Sequence, residues 1–436
     1  METALSPQEL REVWSLLDPA ERVEGFQLIP VSEADDFFLT LTPREQSDLL
    51  LALPPTQRRT WVRLLPPDDA ADMVQELPME EREGVLALMD NVTRREVQAL
   101  MAYAEDAAGG LMNPRFARVR PDMTVDEAIS YLRKQTRERV EVIYYAYVLD
   151  AQQRLLGVVS FRDLFQAQPR MLVREVMHTD VISVLEDMDQ EAVSRTFTRS
   201  GLMAIPVVDA EGRMKGIVTV DDIVDVVQEE ATEDIQKAGG TEALEAPYFE
   251  TQLFQMLRKR GVWLLVLFLG EMLTATAMGF FEHEIARAVV LALFIPLIIS
   301  SGGNSGSQAS TLVIRAMALG EVTLRQWSLV LRRELAVGLA LGCLLGLVGL
   351  GRIVLWESVF HSIGEHYLQV GLSVAVSLVG VVMCGTLCGS MLPFILRRVG
   401  FDPASASAPF VATLVDVMGL LIYFTAASIF LGGVLL

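Results

Sequence analysis

The segment "TLVDVMGLLIYF", Thr413 to Phe424, places one carboxylate, Asp416, inside a run that is otherwise apolar enough to cross a membrane. An ionised aspartate at the centre of a bilayer costs about 3 kcal/mol or more, so such a residue marks an ion path or a satisfied polar contact. The rest of the sequence must indicate which of these two roles Asp416 has.

Charge and hydropathy divide the chain into two halves. The 436 residues have a formal net charge of −20, of which residues 1–256 contribute −22 and residues 257–436 contribute +2. An acidic soluble half is thus joined to a nearly neutral membrane half. The acidic half has the wrong sign for nucleic acid or an anionic lipid surface, and it suits cations, although solubility alone would also explain it. The N-terminus lacks a basic-then-apolar signal pattern, which predicts that this half stays in the cytoplasm.

Five apolar segments in the second half predict five membrane-spanning helices. They lie near residues 261–280, 286–314, 329–351, 370–396 and 408–436. Basic residues flank alternate ends, at positions 258–260, 325–333 and 397–398. The positive-inside rule then places the N-terminus in the cytoplasm and the C-terminus outside. Residues 259–436 are therefore predicted to form a five-helix transmembrane pore domain.

The second predicted span contains the Gly-rich stretch "PLIISSGGNSGSQASTLVIRA", residues 296–316. Irregular backbone at membrane depth survives only where protein or a water-filled cavity satisfies its polar groups. One interpretation is a pore-lining break, which would expose carbonyls at Gly302 and Gly303 and the side chain of Asn304 beside Asp416. The alternative is close helix packing through small residues.

Two acids, Asp416 and Glu271, lie near the middle of predicted spans. Asp416 in a water-filled path would attract cations, and one such carboxylate per protomer on a dimer axis would suit hydrated magnesium. The alternative is an aspartate satisfied by a neighbouring hydroxyl such as that of Thr413. Glu271, in the first span, lines the path, accepts a proton, or stays neutral and bonded to another helix, since burial raises the pKa of a carboxyl group. These alternatives remain open.

Residues 1–105 carry a repeat with a spacing of 24 residues, in "LLDPAER", "TLTPREQ", "LLPPDDA" and "LMDNVTR". Asp18 and Thr42 precede proline and are good N-caps, and Glu21 and Glu45 complete the capping-box spacing. Each unit has room for two short helices. The segment therefore predicts a small α-solenoid, an architecture that usually presents an interaction surface.

A second repeat occupies residues 106–235, with copies at about 112–170 and 176–230. "DMTVDEAISYL" matches "DMDQEAVSRTF", and "LLGVVSFRDLF" matches "MKGIVTVDDIV". Each copy predicts helix, strand, strand, helix. About six extra residues in the first copy fall within "RKQTRERVEVIYYAY".

This repeat resembles a tandem CBS pair, a regulatory α/β module that often binds adenine nucleotides. The resemblance implies a possible ATP site at Tyr145, Arg162, Asp163, Thr219 and Asp222. In the family the hydroxyl and carboxylate of the G-h-h-[ST]-x-x-D pattern contact phosphate and ribose, and that pattern here also includes Ser160. The alternative is that these residues only cap the following helices.

The most acidic stretch, "VDDIVDVVQEEATEDIQ", joins the two halves. On a helix, two faces would each carry three acids: Asp222, Asp225 and Glu229 on one, and Glu230, Glu233 and Asp234 on the other. Like charges at this spacing destabilise a helix slightly unless a cation bridges them. A solvated acidic face is the alternative.

The order of parts resembles the MgtE family of magnesium channels: an acidic helical domain, a CBS pair, a connecting helix at about 236–258, and five spans. The resemblance covers nearly the whole chain, through "AGGLMNP", "IYYAYV", "TVDDIVDVVQEEATEDI", "SGGNSGSQASTLVIRA", "MLPFILRRVGFDP" and "PFVATLVDVMGLLIYF". It implies a homodimer in the cell membrane that is closed by cytoplasmic magnesium.

The resemblance also implies individual residue roles. The pore acid of the family falls on Asp416. Its cytoplasmic magnesium sites fall on Asp36, Asp68, Asp72, Asp189, Glu191, Asp221, Asp222, Asp225, Glu230, Glu233, Asp234 and Asp402. In the family these ions join the domains and close the pore.

Three positions depart from the family pattern. Ser307 stands where the Gly-rich motif usually has asparagine, and Gly201 and Leu202 stand where some members have an acidic and an aromatic residue. Gly201 therefore offers no carboxylate for one regulatory metal site of the family, and Leu202 offers no aromatic ring for one adenine-stacking contact.

We therefore predict a magnesium-selective channel and no enzymatic activity. The closest rival is a carrier in which Glu271 or Asp416 exchanges a proton or sodium ion for the dication. A rival of another class is a non-conducting, membrane-tethered CBS sensor. Channel and carrier remain open alternatives, as does selectivity among Mg2+, Co2+, Mn2+ and Ni2+.

Overall fold

The computed structural model describes residues 6–138, 144–244, 248–249, 251–361 and 365–432. The chain divides into two compact units, Met1–Gln228 and Glu229–Leu436. The first contains the helical repeat and the CBS pair, and the second contains the apolar helices. The predicted insertion in the first CBS copy lies partly at 139–143, outside the described residues.

The helical repeat forms an α-solenoid of paired short helices. Its helices are α1 (Pro7–Val13), α2 (Pro19–Leu28), α3 (Val31–Leu39), α4 (Pro43–Ala52), α5 (Pro55–Val62), α6 (Pro67–Glu76), α7 (Met79–Leu86) and α8 (Asn91–Leu100). The predicted register is confirmed, because α2, α4, α6 and α8 begin at residues 19, 43, 67 and 91 and pack in that order. Asp18 with Glu21, and Thr42 with Glu45, form the predicted capping boxes.

The CBS pair contains two small sheets flanked by helices. Its elements are α9 (Ala108–Leu111), β1 (Arg118–Val119), α10 (Val125–Glu138), β2 (Tyr145–Leu149), β3 (Leu155–Ser160), α11 (Phe161–Gln166), α12 (Val173–Val176), β4 (Val184–Leu185), α13 (Gln190–Ser200), β5 (Ala204–Val208), β6 (Met214–Thr219) and α14 (Val220–Ala238). The strand orders are β1-β2-β3 and β4-β5-β6, each with a parallel pair followed by an antiparallel pair. The predicted duplication is confirmed.

The solenoid and the second CBS repeat share one hydrophobic core. Phe38 and Met73 of the solenoid belong to the same buried cluster as Ile205 of β5. The first CBS repeat has its own core, and a smaller cluster that includes Tyr147 and Met214 joins the two repeats. This packing brings the start of α14 close to α6.

The second unit contains seven helices among its described residues. They are α15 (Leu253–Phe280), α16 (Glu282–Arg287), α17 (Val289–Ala292), α18 (Ile295–Ala318), α19 (Trp327–Phe360), α20 (Tyr367–Val399) and α21 (Ala408–Leu431). Among the described residues, 5 helical segments are long and apolar enough to cross a membrane: Leu253–Phe280, Val289–Ala318, Leu324–Phe360, Tyr367–Val399 and Ala408–Leu431. The prediction of five spans is confirmed.

The predicted break in the second span is wrong, because α18 is a continuous helix through Gly302 and Gly303. A methyl group on Gly385 or Gly389 of α20 would overlap the carbonyl oxygen of Gly302 or Gly306 of α18. Small residues at such a contact let two helix backbones approach closely. The glycines therefore serve helix packing, which was the alternative interpretation.

The connecting helix also differs from the expected range of 236–258. The long helix is α14, which ends at Ala238, and α15 begins only at Leu253. Gly240 follows α14 with a φ of 75°, a left-handed conformation that glycine adopts without strain. A turn therefore interrupts the expected helix.

Gly389→Ala should lower the stability of the membrane unit by about 1–3 kcal/mol, the usual effect of overpacking a close-packed interior. Gly351→Ala is the matched control, because its methyl group would meet no neighbouring atom within 4 Å. Thermal unfolding of the purified full chain in detergent measures both effects. Equal unfolding temperatures for the two variants would contradict the packing role.

Candidate functional site

The intramembrane carboxylate of Asp416 lies beside the Gly-rich helix. Asp416 is half-buried on α21. A methyl group on Gly303 of α18 would lie 3.4 Å from Cβ of Ala412 and 3.9 Å from Oδ1 of Asp416. The backbone of α18 therefore packs closely beside the Asp416 carboxylate at Gly303.

Glu271 of α15 is the second acid at this place. Its carboxyl group lies within hydrogen-bonding reach of the Asp416 side chain. The helices approach closely here, since a methyl group on Gly270 would lie 2.6 Å from Cγ2 of Thr413. The Thr413 hydroxyl donates to the Pro409 carbonyl at 3.1 Å, so its proton is already used. Two carboxyl groups this close repel unless they share a proton or hold a cation.

A line of exposed polar side chains follows α18. Its members, called the polar stripe below, are Ser300, Asn304, Gln308, Thr311 and Arg315. Spacings of three or four residues place them on one helix face. Nδ2 of Asn304 donates to Oγ of Ser300 at 3.4 Å. Of these five, only Asn304 was predicted, yet helical periodicity would have found the others once α18 was taken as unbroken.

The start of α21 is fixed to α18 by two hydroxyl groups. Ser307 Oγ donates to the Ala408 carbonyl at 3.2 Å, and Ser310 Oγ donates to the Ala406 carbonyl at 2.7 Å. Ser307, the departure from the family pattern, thus anchors the helix that carries Asp416. No local sequence pattern predicts this role.

Asp402, in the loop before α21, bonds to a lysine. Its Oδ2 accepts from Nζ of Lys237 at 2.6 Å, and the same ammonium pairs with Glu233 one turn earlier on α14. Burial lowers the pKa of Lys237, but the bonds to Asp402 and Glu233 outweigh it and raise that pKa. Two other predicted ligands, Glu230 and Asp234, are half-buried on the same helix. Sequence reasoning missed Lys237.

In the soluble unit, acids of α6 and α14 lie near enough to repel one another. Asp68 is 7% exposed, and its Oδ1 accepts a hydrogen bond from Nδ2 of Asn113 at 3.1 Å. Burial, followed by repulsion from Asp222, Asp69 and Asp72, raises the pKa of Asp68 well above its usual range. The structure therefore brings together three predicted ligands and adds Asp69.

The pKa of Asp222 is also raised, for the same physical reasons. Burial raises the pKa of Asp222 to about 7, although hydrogen bonds from Thr219 oppose the change. Repulsion from Asp221 and Asp69 contributes to the rise. Near neutral pH, the acids at this junction favour either a proton or a metal cation.

The other predicted metal ligands of the soluble unit do not belong to this acidic group on α6 and α14. Oδ1 of Asp189 caps α13 by accepting from the Glu191 amide at 3.0 Å, and Glu191 pairs with Arg195 at 2.6 Å. Three others are exposed on helix surfaces: Asp36, Asp221 and Asp225. Across the described residues, no three His, Cys, Asp or Glu side chains converge in metal-binding geometry.

The predicted nucleotide motifs serve as helix caps. Ser160 Oγ donates to Asp163 Oδ2 at 2.6 Å, and Thr219 Oγ1 donates to Asp222 Oδ2 at 2.6 Å. The bonds from Ser160 and the neighbouring His178 hold the pKa of Asp163 below its usual range, although burial opposes them. The two remaining predicted contacts are Tyr145, half-buried in β2, and Arg162, exposed in α11.

Gly201 and Leu202, which depart from the family pattern, have structural roles. Gly201 ends α13 with a φ of 65°, in the left-handed conformation that favours glycine. Leu202 packs against the core shared with the solenoid. These positions serve the end of a helix and the packing of the core.

Together, the five apolar helices and the acidic solenoid–CBS unit define an integral membrane protein with a regulatory-type soluble unit. Family profiles match residues 5–106 as the MgtE intracellular N domain, 108–170 and 173–229 as CBS domains, and 295–426 as a divalent cation transporter. The chain belongs to the MgtE family.

Individual relatives agree with this assignment. The chain is 44% identical over 347 residues to the magnesium transporter MgtE of Thermus thermophilus, which covers 80% of this chain and 75% of the relative. It is 34% identical to the magnesium transporter MgtE of Bacillus subtilis, over 79% of this chain and 74% of that one. A solved cytosolic domain of the Mg2+ channel MgtE in complex with ATP matches with 42% identity and a TM-score of 0.48, covering 52% of this chain and 92% of that chain.

Asp68→Asn should stabilise the protein at pH 8 when divalent cations are removed. The folded state raises the pKa of Asp68, so this acid stabilises the fold below its unfolded pKa, and that contribution is lost as the pH rises through the folded pKa. The variant should therefore unfold several degrees higher at pH 8, where 1 kcal/mol is about 2–4 °C, and the gain should shrink toward pH 5.

Thermal unfolding of the full chain in a chelator measures this effect. The matched control is Asp180→Asn, since Asp180 is exposed. A gain of the same size at both pH values, or in both variants, would show that repulsion at Asp68 is not its source.

Proposed function

We propose that the chain is a magnesium channel of the cell membrane, homodimeric, with its N-terminus in the cytoplasm, and closed by cytoplasmic magnesium. Membership of the MgtE family supports magnesium as the cargo. The observation that carries the proposal is the Asp416 carboxylate, placed beside Gly303 and Glu271 within a membrane span. A non-conducting sensor would have no need for such a site.

Asp416 would act on a hydrated ion. Magnesium takes oxygen ligands and gives up its water reluctantly, so a carboxylate binds it most easily through hydrogen bonds to the ion's water shell. Glu271 would add a second negative charge, which favours dications over monovalent ions.

The polar stripe supports a dimer. Asn304 and Gln308 are exposed on a membrane-spanning helix, where contact with lipid is unfavourable. A second copy of the chain, facing this side of α18 across a water-filled path, would satisfy them. It would also bring a second Asp416 to the same axis, so that two carboxylates attract one dication.

Gating would use the acidic junctions. Asp68, Asp72 and Asp222 repel one another when no cation is present, and their carboxylate oxygens are ligands that suit magnesium. A magnesium ion held among them would replace repulsion with attraction. Several weak sites acting on one two-state arrangement give a cooperative response. High cytoplasmic magnesium would then favour the closed state.

A coupled carrier is the second candidate, favoured by the contact between Glu271 and Asp416. Two carboxyl groups that share a hydrogen bond can hold a proton between them, and release of that proton on magnesium entry would couple the two ions. Nucleotide binding by the CBS pair stays a prediction, because Ser160 and Thr219 already bond to the neighbouring carboxylates.

Asp416→Asn should lower magnesium current by at least about tenfold, because the variant keeps the size of the side chain and loses its charge. A loss of only about 1.4 kcal/mol in the stabilisation of the bound ion corresponds to a tenfold change. Current recorded from proteoliposome patches at equal protein content is the measurement. Glu321→Gln is the control, since Glu321 is exposed outside the spans. Wild-type current in Asp416→Asn would remove Asp416 from the path.

Channel and carrier are separated by recordings at varied proton gradients. A channel current should reverse at the magnesium equilibrium potential whatever the pH gradient. A reversal potential that moves with the pH gradient would establish coupling. In that case Glu271→Gln should abolish the dependence, because the amide cannot exchange a proton.

Gating is tested by neutralising two acids of the junction between α6 and α14, Asp68→Asn with Asp72→Asn. The double variant should need about fivefold more magnesium for half-inhibition, the lower end of typical coupling energies. Selectivity should stay unchanged because the intramembrane acids remain. Inside-out patches with stepped bath magnesium give the curve, and Asp180→Asn is the control. Closure of the double variant over the wild-type range would exclude these acids from the sensor.

A further inference from the structure

The last turn of α14 is held against the ends of two membrane-spanning helices. A methyl group on Gly240, just after α14, would lie 2.8 Å from Nε1 of Trp263 and 3.2 Å from Cγ of Pro409. Gln236 Oε1 accepts from the Leu244 amide at 2.6 Å, which folds the chain back toward α15. The end of α14 is therefore a packed part of the membrane unit.

One charged contact stands at the centre of this packing. α14 carries seven carboxylates and a single lysine. The ammonium of that lysine, Lys237, lies between Glu233 and Asp402, with Nζ 2.6 Å from Oδ2 of Asp402. Glu233 and Asp402 are two of the carboxylates that the family resemblance assigns to regulatory magnesium. A fixed side-chain cation thus occupies the space between two expected metal ligands.

The geometry at Asp402 leaves no oxygen idle. Oδ2 accepts from Lys237, and Oδ1 accepts from the Ala404 amide at 2.8 Å to cap the turn Pro403–Ser405. Ala404 and Ala406 of this loop are buried against Ile314 of α18. Direct binding of magnesium to Asp402 would place a dication on an oxygen that already accepts from the Lys237 ammonium or from the cap amide. The residues here fit an ammonium ion better than a metal ion.

We propose that Lys237 is a built-in cation that holds the end of α14 on the loop before α21 at every magnesium concentration. Lys237 is then a positioning residue for α21 and its Asp416. Magnesium would control the acids earlier on α14, and the last turn would stay attached while they open and close. This inference rests on the proposed gating by magnesium.

Removal of the lysine charge should turn a metal-independent contact into a metal-dependent one. In Lys237→Gln the carboxylates of Glu233 and Asp402 repel each other when no cation is present. Magnesium can then enter between them and restore the contact. Lys237→Arg keeps the charge and should behave like the wild type.

Hydrogen exchange, followed by mass spectrometry on the purified full chain, tests this. The amides of Gly239, Gly240 and Thr241 bond to carbonyls of the last turn of α14 at 2.9–3.1 Å, and their exchange reports on its attachment. In the wild type, exchange at 239–241 should be equal in chelator and in 10 mM magnesium. In Lys237→Gln it should rise about tenfold in chelator and return to the wild-type rate in magnesium.

The control is Lys215→Gln, which removes another half-buried lysine that pairs with an acid, Asp209, at 3.4 Å. It should leave exchange at 239–241 unchanged in both conditions. The proposal is overturned if wild-type protection itself requires magnesium, if Lys237→Gln exchanges like the wild type in chelator, or if magnesium fails to restore it. Because this readout needs no transport, flux measured on the same samples separates its failure from failure of the proposed function.

Discussion

The structure depends on how carboxylates that face one another are neutralised. An acid pair held at close range is stable only with a shared proton, a metal ion or a fixed cation. Among the residues that the structure describes, we compare three such pairs: Asp68 with Asp222, Glu233 with Asp402, and Glu271 with Asp416. The groups around each pair differ, and they determine whether a proton, a metal ion or a fixed side-chain cation neutralises it.

The soluble pair needs a proton or an exchangeable cation near neutral pH. Asp68 is almost fully buried, and its raised pKa means that the folded state tolerates its charge poorly near neutral pH. A dication that enters removes the repulsion that a proton would otherwise remove. The pair at the end of α14 already has the ammonium of Lys237, so the same chemical need is met permanently. Charge repulsion along α14 is therefore relieved in two ways: by an exchangeable proton or cation at Asp222, and by the permanent ammonium of Lys237 at Glu233.

Much of the fold was predictable from local sequence signals. The wrong predictions concern features that depend on contacts between residues far apart in the sequence. Capping at Asp18 and Thr42 acts within one turn, so the solenoid register was predictable. Glycines four apart fit a broken helix and a helix contact equally well, and only Gly385, 83 positions after Gly302, distinguishes them. Glu271 and Asp416 were each visible as intramembrane acids. Their contact required the packing of α15 on α21, which no local pattern encodes.

The continuity of α18 changes the chemistry available to an ion. Its glycine carbonyls are used within the helix, so side chains and water must supply the ligands along this face. In the proposed channel, the selecting element would be negative charge acting on a hydrated ion, and its position would depend on how α21 is held. Asp416 lies eight residues after Ala408, about 12 Å along the helix at 1.5 Å per residue. Ser307, Ser310 and the Lys237–Asp402 bond all act at that same end of α21, so a displacement there moves the carboxylate directly.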